Sequence, residues 1–173
     1  MSNFKTKLHN IKAFAFDVDG VMTDGLVIAT ETGDLLRMHN AKDGFALRTA
    51  ILTGYKIAII TGGTSESLIK RFQPIGIEDI HLGAKYKIPY FNTFLEKYNL
   101  KASEVLYMGD DIPDLEILNI CGVSACPADA VTEVKKVCDY ISIYPGGKGC
   151  VRDVIEQVLK IQEKWNLTSE AIA

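Results

Sequence analysis

The sequence predicts an α/β protein, a Rossmann-like parallel sheet with helices on both faces, plus a β-hairpin after the first strand. Three observations predict it. Short apolar runs alternate with amphipathic segments along the chain, the pattern of a sheet built from strand–helix–strand units. Acidic and hydroxyl residues follow directly on several of those runs, at the carboxyl ends of strands where such sheets bind ligands. Two short segments flanking Glu31-Thr32-Gly33 depart from the alternation and carry a hairpin signal.

Residues 12–18 (KAFAFDV) read as the first strand, and the hairpin pairs 26–30 with 34–38. A helix is expected over 44–53, a buried strand over 56–60, a helix over 65–73 and a short strand over 79–82. The helix expected over 85–98 keeps Pro89 in its first turn, where a missing N–H is tolerated. A strand over 104–108, a helix over 113–120 closed by Gly122, and a strand over 122–125 follow. The last elements are a helix over 130–137, a strand over 140–143 and a helix over 150–163. That final helix puts Val151, Val154, Ile155, Val158 and Leu159 on one face. An isolated hairpin is marginal in water, so Leu26, Ile28, Leu36 and Met38 must pack on this chain's body or on a neighbouring subunit.

With 173 residues, one domain over 1–165 is expected, including a hairpin at about 25–39, with 166–173 a flexible tail. A net charge of −3 supplies no basic field for nucleic acid. No apolar run is long enough to span a bilayer, and residues 1–10 lack a signal-peptide core, so a cytoplasmic location is the expectation. Cys121, Cys126, Cys138 and Cys150 form no C-x-x-C pair and have no histidine nearby; they read as small apolar residues in a reducing compartment.

The chemistry lies at the strand ends. Asp17 and Asp19, two apart, are expected to project to the same side after the first strand. Asp110, Asp111 and Asp114 follow a later strand, so several carboxylates share one crevice. Two unit charges about 4 Å apart repel by roughly 4 kcal/mol at an effective dielectric of about 20. Such a cluster calls for a cation, and hard oxygen donors without thiolate or imidazole select Mg²⁺. Thr61 with the Gly62 amide can hydrogen-bond a phosphate oxygen, and Lys87 can balance phosphoryl and carboxylate charge. Together these groups describe phosphoryl transfer through an aspartyl-phosphate.

In order, Asp17-Val18-Asp19-Gly20-Val21, Thr61-Gly62, Lys87 and Gly109-Asp110-Asp111-x-x-Asp114 resemble the four motifs of the haloacid dehalogenase superfamily of phosphatases. The resemblance implies that Asp17 is nucleophile and metal ligand, and that Asp19 is general acid then base, its carbonyl on the metal. It implies that Thr61 and Lys87 hold the phosphoryl group, that Asp110 ligates Mg²⁺, and that Asp111 and Asp114 support the metal shell. A narrower resemblance extends over nearly the whole chain. The D-V-D-G-V start, the hairpin, Asn40-Ala41-Lys42-Asp43-Gly44 and Gly146-Gly147-Lys148-Gly149 are similar to the 3-deoxy-D-manno-octulosonate 8-phosphate phosphatase family. That resemblance implies hydrolysis of the sugar-acid phosphate to Kdo plus phosphate in lipopolysaccharide synthesis, by a homotetramer without a cap whose hairpins meet in a central barrel. Substrate contacts then fall on Asp19, Asn40, Ala41, Lys42, Asp43, Gly44, Arg48, Gly62, Arg71 and Lys87, with Gly63 as a backbone contact. The chain departs from the pattern at Gly63, where the family usually carries a basic residue.

Spacing also excludes a cap domain. The 40 residues between Gly20 and Thr61 are used by the hairpin and one helix, and the 25 between Thr61 and Lys87 leave no room for an insertion. Cover for the intermediate then comes from a neighbouring subunit. Alternative readings are a phosphatase for a nine-carbon keto-sugar acid 9-phosphate, a receiver-like signalling module and a scaffolding tetramer. A receiver places its acidic pair first and its lysine last, the reverse of the order here. His39 and His81 read as structural residues.

Overall fold

Alternation along each strand divides the apolar residues between two helical layers. In the computed structural model, which describes residues 4–165, the chain begins with α1 (Phe4–Leu8), β1 (Ala13–Phe16) and the hairpin strands β2 (Ile28–Ala29) and β3 (Leu35–Leu36). It continues through α2 (Ala41–Leu52), β4 (Lys56–Ile60), α3 (Ser67–Phe72), β5 (Asp79–His81) and α4 (Ile88–Tyr98). Then come β6 (Val105–Met108), α5 (Leu115–Leu118), β7 (Val123–Cys126), α6 (Thr132–Val137), β8 (Tyr140–Ile141) and α7 (Cys150–Ile161). Six strands form one parallel sheet in the order β5-β4-β1-β6-β7-β8, and β2 and β3 form a separate antiparallel pair. This is the α/β architecture that the sequence predicts.

Phe14 and Phe16 of β1 join Ile57, Ile59, Leu106 and Met108 on one face, against α2 and α7. Ala13 and Ala15 point the other way, with Ala58, Ile60, Val105 and Tyr107, and the small alanines make room for Phe91 and Phe94 of α4. The apolar face expected of α7 is buried in full. The chain lays down β1, β4 and β5 in one direction, then returns to add β6, β7 and β8 on the other side of β1. This reversal between β1 and β6 opens a crevice at their carboxyl ends.

Several local expectations need correction. α1 was not anticipated; Phe4 stacks on Tyr140 at 4.7 Å between ring centroids and Leu8 is buried, so tertiary packing stabilises a five-residue helix too short to stand alone. The single helix expected over 113–120 divides into a 3₁₀ turn, Ile112–Asp114, and α5, because Asp111 and Asp114 form a reciprocal capping box there. α2 starts at Ala41, three residues early, because Asn40 caps it by accepting from the Lys42 amide at 2.9 Å. β1 stops at Phe16, so Asp17 and Asp19 lie in the following turn rather than on a strand face. The expected tail, 166–173, lies outside the described residues. Among the described residues no helix is long and apolar enough to cross a membrane.

Candidate active site

The parallel ladder carries Asp17 to the crevice. Its amide donates to the Met108 carbonyl at 3.1 Å, one residue past the end of β1. Its carboxylate is nearly buried: Oδ1 accepts from the Val18 amide at 2.7 Å, and Oδ2 lies 3.0 Å from Lys87 Nζ. Lys87, at the start of α4, also contacts Asp114 Oδ1 at 2.6 Å. Asp114 Oδ1 further accepts from Tyr107 Oη at 2.5 Å, while Oδ2 accepts from the Asp110 and Asp111 amides at 3.1 and 3.4 Å. Both oxygens of Asp114 therefore accept from protein donors. The Asp111 carboxylate turns back to the Ile112 amide at 2.7 Å.

Asp110 differs from these. Its Oδ1 is buried and has no hydrogen-bond partner, an arrangement that wastes an acceptor unless a further cation or donor completes it. Oxygens of Asp17, Asp110 and Asp114 all lie within 4.8 Å of one another. Burial, reinforced by repulsion from Asp114 and opposed by Lys87, pushes the Asp17 carboxyl up to about 7. Burial also pushes Asp110 up to about 7, with Asp17, Asp114 and Asp111 adding to the repulsion. Burial disfavours the Lys87 charge, but Asp17 and Asp114 outweigh it and hold its pKa above the ordinary lysine value. One lysine does not neutralise this many carboxylates, and the all-oxygen donor set fits a hard divalent ion such as Mg²⁺. Two glycines permit the close approach: a Cβ on Gly20, at φ 83°, would strike the Asp110 carboxylate, and one on Gly109 would strike that of Asp114.

A cavity of about 360 Å³ opens over this cluster, lined by Asp17, Asp19, Gly20, Thr61, Gly62, Gly63, Lys87, Asp110 and Asp111 among others. Thr61 is buried at the end of β4, its Oγ1 accepting from the Gly63 amide at 3.1 Å. The motif residues expected from the sequence thus meet in one place.

Of the expected substrate contacts, Asp19, Gly62, Gly63 and Lys87 line this cavity, and the remainder lie elsewhere. Asn40 caps α2 and donates through Nδ2 to the Gly147 carbonyl at 3.3 Å. Ala41, Gly44, Arg48 and Arg71 line a separate open cavity, and Lys42 lines another with Lys148 and Arg152. Asp43 is buried outside the cavity: Oδ1 accepts from the Arg152 amide at 2.8 Å and ties α2 to the first turn of α7, while Oδ2 has no hydrogen-bond partner. His39 and His81 are half-buried against Phe72 and Tyr90, outside the cavity, each with one buried ring nitrogen lacking a hydrogen-bond partner. Sequence reasoning missed Arg37, whose Nε and Nη2 donate to Asp19 Oδ1 and Oδ2 at 2.6 and 2.9 Å. It also missed the buried Tyr107 beneath Asp114.

A doubly flanked parallel sheet with an aspartate–lysine pair and a second acidic loop at its switch point defines a haloacid dehalogenase-like hydrolase, and the family model of that description matches residues 86–151. A 3-deoxy-D-manno-octulosonate 8-phosphate phosphatase of Salmonella typhi is 35% identical over 159 residues, covering 92% of this chain and 85% of that protein. The crystal structure of the phosphatase of the same name from Yersinia pestis superposes with a TM-score of 0.92 at 31% identity, over 94% of this chain and 88% of the other. That from Moraxella catarrhalis, in complex with magnesium ion, phosphate ion and a KDO molecule, gives a TM-score of 0.91 at 33% identity over 95% of both chains. The chain belongs to the 3-deoxy-D-manno-octulosonate 8-phosphate phosphatase family, phosphoric monoester hydrolases of the haloacid dehalogenase class.

Proposed function

We propose that this chain hydrolyses 3-deoxy-D-manno-octulosonate 8-phosphate to Kdo and phosphate, with Mg²⁺ as cofactor. The observation that carries the reaction class is the Asp17 carboxylate, oriented by the Val18 amide and Lys87 and clustered within 4.8 Å with carboxylate oxygens of Asp110 and Asp114. The substrate follows from the relatives, whose printed activity is on this sugar phosphate.

In this reading Asp17 attacks phosphorus, the phosphorus–oxygen bond to the sugar breaks, and an aspartyl-phosphate forms on Asp17. Asp19 gives a proton to the departing alkoxide and then takes one from the water that hydrolyses the acyl-phosphate. Thr61 and Lys87 hold the phosphoryl oxygens, with the Gly62–Gly63 backbone beside them. Asp17, the Asp19 carbonyl and Asp110 would hold Mg²⁺, with Asp111 and Asp114 in support. When bound, the ion supplies positive charge that lets an anionic nucleophile approach an anionic phosphate.

The reading also includes a homotetramer. Leu26, Ile28, Leu36 and Met38 are 72, 62, 52 and 69% exposed, so they do not pack on this chain's own body. Burying them between hairpins of neighbouring subunits removes that apolar surface from water and brings a neighbour's Asn40, Ala41, Lys42, Gly44, Arg48 and Arg71 into play as sugar contacts. A single phosphatase domain spans 1–165, and four free thiols agree with the reducing cytoplasm.

The test is phosphate release from a panel of sugar phosphates, with Mg²⁺ and with chelator. The 8-phosphate of Kdo should give the highest kcat/KM, and chelator should abolish turnover. A higher kcat/KM on a nine-carbon keto-sugar acid 9-phosphate would replace this substrate; full activity in chelator would defeat the metal-assisted mechanism.

A further inference from the structure

The loop that precedes α7 meets the turn after β1 backbone to backbone. A Cβ added to Gly146 would strike the Gly20 carbonyl and lie 2.7 Å from the Thr23 carbonyl oxygen. Gly146 does not have a positive φ, so glycine is needed here for space and not for conformation. Gly20 in turn lies against the Asp110 carboxylate, which a Cβ there would strike. Gly146, the Asp19–Gly20 peptide and Asp110 therefore form a stack, and hydrogen bonds close it into a ring. Asp129 Oδ1 accepts from the Gly146 amide at 2.9 Å, and two residues further on the Val131 amide donates to the Asp110 carbonyl at 3.0 Å. On the other side the Gly147 amide donates to the Val21 carbonyl at 2.9 Å, and the Gly147 carbonyl accepts from Asn40 Nδ2 at 3.3 Å.

We infer that Gly146 is a positioning residue for the metal site: it fixes the separation of the Asp19–Gly20 peptide from the Asp110 carboxylate, and Asp129 holds it there. The inference rests on the Mg²⁺ role proposed for the Asp19 carbonyl and Asp110. Mg²⁺ demands oxygen donors at about 2.0–2.1 Å in near-octahedral array, so a small shift of one donor lowers affinity. A backbone contact cannot rotate out of the way as a side chain can. An alanine at 146 must push Gly20 towards Asp110, or the loop must retreat from Asp129 and Val21. Either response changes the spacing of the donors.

The experiment titrates Mn²⁺, which takes the same hard oxygen donors, into the metal-stripped full chain and reads free Mn²⁺ by electron paramagnetic resonance. The Tm of each metal-free chain is measured beside it. Gly146→Ala should raise the Mn²⁺ Kd by about tenfold or more, the usual effect of disturbing groups that orient metal ligands. Asp129→Ala should raise it by less. Asp129→Asn, which keeps the Oδ1 acceptor, should bind as wild type does. Asp129 is exposed, so these two variants keep the core intact and decide the matter should Gly146→Ala fail to fold. A folded Gly146→Ala chain with the wild-type Kd, whatever its Tm, would overturn the inference by reducing the glycine to packing. Wild-type Kd in Asp129→Ala, or equal losses in both Asp129 variants, would overturn it too, the latter by assigning the effect to charge. Wild-type protein that binds no Mn²⁺, or binds it unchanged after Asp110→Asn, would instead defeat the metal site itself.

Discussion

Asp17, Lys87 and Asp114 form a buried chain in which one cation serves two carboxylates, at 3.0 and 2.6 Å. Removing the ammonium leaves two acids close together in a low-dielectric site. Lys87→Met should therefore destabilise the fold by about 3–5 kcal/mol, the usual cost of breaking a buried pair by deleting one partner. Urea denaturation of the metal-free protein checks it, and a change below about 1 kcal/mol would show that the acids discharge by taking up protons instead. At this scale the sequence was informative where a polar residue interrupts an apolar run. Asp17 and Thr61 were legible because they directly follow β1 and β4. Arg37 was not, because its contact with Asp19 crosses 18 positions and depends on how the hairpin folds back. The tie of Asp43 to α7 was not legible for a related reason: its partner, the Arg152 amide, is 109 positions away and carries no sequence signal.

The hairpin is the element whose role is least settled by its own chain. Its two strands are two residues each, yet they display Leu26, Ile28, Leu36 and Met38 to solvent. Residues paired across it, such as Ile28 with Leu36, share one apolar patch. Replacing both with lysine should convert an assembly into a 19.1 kDa monomer, read by light scattering, with little loss of fold because neither side chain is in the core. A wild-type protein already monomeric at micromolar concentration would contradict the tetramer. The hairpin was legible from Gly33 and the alternation around it, but its registry with the body was not. The short α1 was missed because five residues carry too little periodicity to read, although Phe4 and Leu8 stand four apart.

For the molecule as a whole, the sheet reversal concentrates negative charge at one end of β1 and β6, and this couples metal, protons and stability. In the metal-free fold Asp17 and Asp110 are raised to about 7 from an ordinary 3.8. The folded chain then binds more protons than the unfolded one between those values, so this contribution to stability is present below pH 4 and is lost as pH rises through 7. Mg²⁺ binds the ionised carboxylates and competes with those protons. Thermal melts should show a larger Mg²⁺-induced rise in Tm at pH 8 than at pH 5.5; an equal rise at both would mean that the ion binds elsewhere. The parallel sheet with helices on both faces was legible from the strand–helix alternation, whereas the strand order and the split of Phe14 and Phe16 from Ala13 and Ala15 between two layers came only from the structure. The placement of Asn40, Lys42, Arg48 and Arg71 away from the cavity was not legible, because it depends on how α2 packs against α7 and the turn that follows α3, partners distant in the sequence.

The central claim is that phosphorus becomes bonded to Asp17, and a crystal structure with Mg²⁺ and beryllofluoride tests it most directly. The account predicts a trigonal fluoride adduct on a carboxylate oxygen of Asp17, with Lys87 and Thr61 against its fluorines. An adduct bonded to Asp19, Asp110 or any other side chain would contradict it.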